Sequence, residues 1–211
     1  MKLVFLFFIQ FFLPAIVFGQ SLKKDTSYYN GCGWIKERTY ADSTIIFNSC
    51  TGEYNVFNKQ GITIIEGRMG FNCGCEFLKN GIWIERYSLG ELLSIGSYDC
   101  GQKSGEWIYF YENGNKKKIE NYTKFYADST SIAMPSTFLN GNYFEFYNNG
   151  NIKVLGSYEI KLAIDCVDVI IPEPPYLTMK QVSGIPKNFM SGTWYYYEKN
   201  GALKRKENHE N

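Results

Sequence analysis

Gly105-Glu106-Trp107-Ile108-Tyr109-Phe110-Tyr111-Glu112-Asn113-Gly114 carries the pattern from which the rest of the chain is read. A glycine is followed two residues on by a tryptophan, then by aromatic and β-branched residues, and nine residues after the first by a second glycine. The pattern recurs at Gly52-Glu53-Tyr54 to Gly61, Gly81-Ile82-Trp83 to Gly90, Gly141-Asn142-Tyr143 to Gly150 and Gly192-Thr193-Trp194 to Gly201. The register outlasts the second glycine. Six residues on stand Gly67, Gly96, Glu120, Gly156 and Glu207; eight residues on stand Met69, Tyr98, Tyr122, Tyr158 and His209. Such self-similarity marks a repeat architecture, in which one copy cannot bury its apolar surface without a neighbour.

Each copy reads as a β-hairpin. Alternation puts Trp107, Tyr109 and Tyr111 on one side of a strand and Ile108 and Phe110 on the other, so neither side is cleanly polar. Asn113-Gly114, Asn149-Gly150 and Asn200-Gly201 predict two-residue type I′ turns, and Gly61 and Gly90 close the other two copies. The expectation is an all-β chain of tandem antiparallel hairpins forming an elongated twisted sheet. It places a five-copy domain at 49–211 with insertions at 124–139 and 159–190. Before it lies a segment, 20–48, where Gly33-Trp34 hints at a degenerate copy. Stacking of neighbours assigns Tyr54, Trp83, Trp107, Tyr143 and Trp194, with Tyr98, Tyr122 and Tyr158, to the repeat core. The alternative is a row of exposed rings stacking on a ligand. Tyr109, Tyr147 and Tyr196, whose polar tips tolerate exposure, are the candidates for such a surface.

The second insertion contains Pro172-Glu173-Pro174-Pro175 and Pro186 and reads as an extended, loop-like excursion, either a binding element or else a tolerated loop or covering strand, with Val167 to Ile171 adding an edge. Tyr40–Ile46 and Tyr126–Ile132 resemble one another, which suggests duplication of a two-hairpin unit. Their Asp42 and Asp128 read as turn residues into a strand before they read as a catalytic pair.

Residues 1–19 fit a secretory signal peptide. Lys2 is followed by an apolar run, Pro14, and small residues at Val17 and Gly19, with cleavage expected before Gln20. The alternative is an uncleaved anchor, against which Gln10 and Pro14 argue. No later stretch is long and apolar enough for a transmembrane helix, so the mature chain is expected to be exported, to the periplasm, the cell envelope or the medium. Cys32, Cys50, Cys73, Cys75, Cys100 and Cys166 then favour disulfides, in any of about 15 pairings. Cys73-Gly74-Cys75 alone is spaced for redox or metal chemistry, and no second close pair completes a zinc site.

The chain has 211 residues, with 22 Lys+Arg against 21 Asp+Glu and one histidine. Near-neutrality leaves no footprint for nucleic acid or for a polybasic membrane anchor. One histidine argues against His-based catalysis or a His-rich metal site. Phosphate-binding, dinucleotide-binding and nucleophile-elbow motifs are missing, so neither an enzyme nor a cofactor is expected.

The pattern Gly-x-Trp-x-x-x-Tyr-x-x-Gly followed by Gly-x-Tyr is similar to the variant MORN repeat of YwqK-type antitoxin proteins. Gly81–Tyr98 and Gly105–Tyr122 are the best copies, and the likeness spans about residues 49–209. The resemblance implies hairpins strung into one elongated sheet and a non-catalytic role in protein–protein interaction, with no catalytic motif, cofactor or metal to carry over. A protein partner is therefore expected. The alternatives are a glycan bound by exposed aromatics at the cell envelope, and immunity against a secreted toxin.

Overall fold

The computed structural model describes residues 22–70, 77–125, 136–170 and 178–209, the side chains of 162–185 excepted. The expected signal peptide, Cys73, Cys75, the Tyr126–Ile132 motif with Asp128, and Pro172–Pro175 lie outside the described residues, as does the side chain of Cys166.

The strands are β1 (Lys24–Tyr29), β2 (Trp34–Thr39), β3 (Ser43–Asn48), β4 (Glu53–Asn58), β5 (Thr63–Gly70), β6 (Leu78–Arg86) and β7 (Leu92–Asp99). They continue as β8 (Gln102–Phe110), β9 (Lys116–Phe125), β10 (Ser136–Leu139), β11 (Gly141–Phe146), β12 (Ile152–Ile170), β13 (Thr178–Tyr197) and β14 (Leu203–His209). All belong to one antiparallel sheet in which spatial order follows chain order, with β10 alone off the path, paired to β9. The five repeats are the hairpins β4–β5, β6–β7, β8–β9, β11–β12 and β13–β14. The segment before them supplies β1 to β3, so Gly33-Trp34 opens a strand of the same sheet.

The hairpin turns differ from the expected type I′. The Gly114 N–H donates to Tyr111 O at 2.9 Å, and the Tyr111 N–H donates to Asn115 O at 2.8 Å. Only Gly114 has positive φ, +82°, while Asn113 does not. This is a three-residue loop, a type I turn closed by a glycine bulge. The same bonds recur at Asn58–Gly61, Tyr87–Gly90, Tyr147–Gly150 and Glu198–Gly201. The asparagine before the glycine is held in place by its own side chain, since Asn113 Oδ1 accepts the Asn115 N–H at 3.1 Å. A pair with both residues at positive φ does occur, at Cys100 and Gly101 (52° and 77°), between one hairpin and the next.

Of the expectations for the second insertion, the loop is replaced by strand on both sides of the proline cluster. Residues 159–170 and 178–190 extend β12 and β13 into a paired ribbon, from Glu159↔Phe189 to Ile170↔Thr178. Val167, Val169 and Ile170 are β-branched and favour strand. Pro186 is tolerated there because a two-stranded ribbon leaves one side of each strand without ladder bonds.

One contact repeats through the array. Gly67, Gly96 and Gly156 lie on return strands, and on each rests the indole of the next hairpin, Trp83, Trp107 and Trp194. A Cβ at any of the three would fall inside the ring. Each indole N–H reaches the carbonyl of the residue after that glycine: Trp83 to Arg68 O (3.1 Å), Trp107 to Ser97 O (3.0 Å) and Trp194 to Ser157 O (3.2 Å). The ladder accommodates this with a bulge. Ser94–Ile95 and Ser97–Asp99 pair with β8 on either side of Gly96, leaving Gly105 to Trp107 opposite it. At the remaining interface Glu120 stands where the others have glycine, and the register sets Tyr143 rather than a tryptophan against it.

The indoles are 1%, 1% and 2% exposed. Among the described residues every other buried apolar side chain (Ile45, Phe47, Val56, Val154) falls on the same face by register, so a single sheet builds its core on one side. Gly96→Ala should cost about 1–3 kcal/mol or more, by overpacking against Trp107. Trp107→Ala should cost about 3–5 kcal/mol, by leaving a cavity. Tyr143→Trp alone should destabilise, and adding Glu120→Gly should recover the loss by rebuilding the contact found at the other interfaces. Urea unfolding of the four variants checks each sign.

Candidate binding face

On the tryptophan face the rings bridge neighbouring hairpins. Tyr98 lies edge-on between Trp83 and Trp107, with centroids at 5.9 and 5.0 Å. Tyr158 and Tyr143 flank Trp194 at 5.1 and 5.5 Å, and Tyr54 meets Trp83 at 5.4 Å. Two lysines, each two residues before a repeat glycine, close the row from outside. The Lys79 ammonium sits 4.2 Å from the Trp83 ring centroid and 4.7 Å from that of Tyr98. Lys103 sits 4.5 Å from that of Trp107 and also donates to the Tyr109 hydroxyl. Burial lowers the pKa of both ammonium groups. Beside them Tyr122 donates to the buried Glu120 carboxylate at 2.9 Å, and Lys118 pairs with Glu120 at 2.8 Å. This face is occupied by the chain's own side chains.

The three tyrosines expected at a binding surface are all partly buried and bonded within the array. Tyr109 accepts from Lys103, Tyr147 donates to Tyr197 O at 2.9 Å, and Tyr196 donates to Glu207 at 3.0 Å. Tyr147 belongs to a ladder along the turn edge. Tyr87 reaches Phe110 O and Tyr111 reaches Phe146 O in the same way, at 2.9 and 2.8 Å. Asn113 and Asn149 reach Asn148 O and Lys199 O alongside. An open groove of about 370 Å³ follows this edge, lined by Tyr87, Tyr111, Glu112, Asn113 and Asn148.

The opposite face is different. By register Ile84, Ile95, Ile108 and Ile119 stand side by side on β6 to β9. Phe144, Leu155 and Tyr195 continue the line on β11, β12 and β13. All are partly exposed, Ile82 beside them is 64% exposed, and among the described residues no second layer covers them. Glu66 precedes Ile84 and Lys206 follows Tyr195 in the same line. Alternation shows which residues share this face within one hairpin. Continuity across three of the four hairpin interfaces needs the bulge at Gly67, Gly96 or Gly156, which no spacing rule reveals.

A second patch was also not evident in the sequence. Tyr28, Tyr29 and Trp34 are 55%, 59% and 52% exposed at the β1–β2 hairpin. Trp34 stands one residue after Gly33 rather than two, out of step with the buried tryptophans. A Cys32–Cys50 disulfide, Cα–Cα 5.6 Å, ties this hairpin to the end of β3. Cys100 is disulfide-bonded as well. Among the described residues no group of His, Cys, Asp and Glu could hold a metal ion, and no helix is long and apolar enough to cross a membrane.

Residues 103–124, 139–159 and 190–211 match the family model of the MORN repeat variant. These segments cover β8–β9, the β11–β12 hairpin and β13–β14, while β4–β5 and β6–β7 share their turn geometry. MORN repeats generally act in protein or membrane binding, as non-catalytic scaffolds. No curated protein and no solved structure matches the chain significantly.

Burial also raises the phenol pKa of Tyr109, Tyr122 and Tyr143, and pushes that of Tyr54 from 10.0 up to about 12. A pKa raised by folding stabilises fully below the unfolded value and is lost above it, because the unfolded chain then releases the proton first. Stability should therefore hold up to pH 10.0 and decline from there towards about 12 for Tyr54. Urea midpoints across that interval should fall, and fall less in Tyr54→Phe than in the parent.

Proposed function

We propose that this chain is an exported, non-catalytic repeat scaffold that binds a protein partner on the isoleucine face. The observation that supports the reading is the asymmetry of the sheet. One face is filled by tryptophans, tyrosines and lysines of the chain itself, while the other presents a continuous, partly exposed apolar line. Contiguous apolar surface of this kind marks an interaction site when polar residues rim it. The match to MORN repeats supports binding rather than catalysis. Export rests on the reading of residues 1–19 and on the cysteine content, and a disulfide between Cys32 and Cys50 is consistent with an oxidising compartment. If the likeness to YwqK-type proteins extends to function, the partner is a toxin and the binding is immunity.

Tagged full-length chain, produced in its own cell and cross-linked, should enrich one protein in near-equal amount. Ile108→Glu, at a partly exposed position, should retain the fold by circular dichroism and lose that protein. Capture unaffected by the substitution would place recognition elsewhere. Mass spectrometry of the captured chain should give Gln20 as its first residue.

A further inference from the structure

Six asparagines stand directly before a glycine: Asn30, Asn80, Asn113, Asn140, Asn149 and Asn200. All six glycines have positive φ, from 67° at Gly81 to 99° at Gly141. A glycine suits such a backbone, and it also leaves its own nitrogen unshielded from the side chain before it. An asparagine can close on that nitrogen. The glycine N–H gives up its proton, the nitrogen attacks Cγ, the Cγ–Nδ2 bond breaks, and Nδ2 takes a proton and departs as ammonia. The cyclic imide that remains takes up water at one of its two carbonyl carbons. Opening at Cγ gives aspartate, and opening at the main-chain carbon gives isoaspartate. One water is consumed and one ammonia released, with no change of oxidation state.

Three of the six, Asn113, Asn149 and Asn200, sit in turns with the same bonds. In each, the glycine N–H donates three residues back, to Tyr111 O, Tyr147 O and Glu198 O, at 2.9, 2.9 and 2.8 Å. In each, Oδ1 accepts the N–H two residues on, at 3.1, 3.2 and 3.0 Å. The difference lies at Nδ2. Asn113 donates to Asn148 O at 2.8 Å and Asn149 donates to Lys199 O at 3.0 Å, in both cases in the turn of the next hairpin. Asn115 and Asn151 donate to the same two carbonyls. Asn200 belongs to the last hairpin, and no described strand follows β14 to offer its Nδ2 a carbonyl. Ala202 stands where the other two turns carry Asn115 and Asn151. We infer that Asn200 is a self-modification site, deamidating through the imide, and that the next hairpin protects Asn113 and Asn149 from the same reaction.

Closure requires the side chain to rotate until Cγ meets the glycine nitrogen, and it removes Nδ2 altogether. At Asn113 and Asn149 that rotation first breaks a hydrogen bond to the neighbouring hairpin, which slows the step by about fivefold per bond. The bonds of the glycine N–H and of Oδ1 are common to the three turns and cancel in the ratio. Asn200 and Gly201 are exposed, and β14 is an edge strand with a single neighbour, so this turn also opens more readily than one inside the array. Asn30, Asn80 and Asn140 meet their glycines on other backbones. Asn30 Oδ1 holds the Cys32 and Gly33 N–H groups, Asn80 is paired with Arg68 within β6, and the Asn140 N–H donates to Asn121 O. The product at Asn200 alters the seam beside it. Isoaspartate carries the main chain through the former side chain and lengthens a loop closed by Glu198 N–H to Ala202 O and Gly201 N–H to Glu198 O. Lys199 O lies in that loop and is the acceptor for Asn149 and Asn151, so the modification loosens the tie between the last two hairpins.

Peptide mapping of the full chain by mass spectrometry, sampled over days in mildly alkaline buffer, is the test. The expected result is conversion at Asn200 at least ~5-fold faster than at Asn113 or Asn149, with isoaspartate among the products. In urea sufficient to unfold the chain the three rates should converge, because each asparagine then meets its glycine without a neighbouring hairpin. Asn200→Gln should remove the early product and leave the other two rates as they were, since glutamine must close a larger ring. Circular dichroism confirms that the parent and the variant are folded at the start. Equal rates at the three turns of the folded chain overturn the proposal, as does an Asn200 that stays intact while Asn113 or Asn149 converts. A preference for Asn200 that persists undiminished in urea overturns it too, because the cause is then the local sequence and not the missing hairpin.

Discussion

An indole ring lying on a glycine of the preceding strand is the contact on which the structure depends. A β-hairpin alone exposes both faces to water and is marginally stable. Here each hairpin lends its neighbour a position without a side chain, and the neighbour fills it with the largest ring available. The indole N–H then takes a backbone carbonyl one residue further on, so the ring is fixed in rotation as well as in depth. Burial of a tryptophan without a second layer is possible only because the glycine lets the ring lie flat on the sheet.

The asymmetry of the sheet follows from that contact. Rings, lysine stems and tyrosines close over the tryptophan side, and the tyrosine ladder at the turn edge ties each hairpin to the next through a backbone carbonyl. Among the described residues the isoleucine side receives no such cover. Edges are treated unequally too. The last strand carries exposed Lys204, Arg205 and Lys206, a charged edge of the kind that discourages further strand pairing. The first strand presents two exposed tyrosines beside a disulfide-bonded loop.

Much of this was legible in the chain. The nine- and six-residue spacings around each glycine describe one hairpin and its return strand, and hydrophobic alternation divides its two faces. What escaped is what spacing does not carry. The turn class depends on which residue pair closes the loop, and Asn113-Gly114 serves a three-residue loop as readily as a two-residue one. In the proline-rich insertion only the edge strand at Val167 to Ile171 could be suggested, and the length of the paired ribbon was hidden because Pro172 to Pro175 dominate its appearance. Tyr147 looked like a free surface ring since its acceptor, Tyr197 O, lies 50 residues away. The isoleucine line was visible in halves and became whole only with the bulge that sets one hairpin's register on the next.

The exception at Glu120 gives the repeats a grammar. Three return strands carry glycine at the seam and face a tryptophan of the next hairpin, and one carries glutamate and faces a tyrosine. A unit is therefore not freely exchangeable. Excising β6–β7 would bring Gly67 to Trp107, a pairing the chain already uses. Excising β8–β9 would set Tyr143 over Gly96 and leave a void, while excising β11–β12 would drive Trp194 onto Glu120. Growth or loss of the array by recombination is thus constrained at its seams, and the order of the hairpins is itself inherited information.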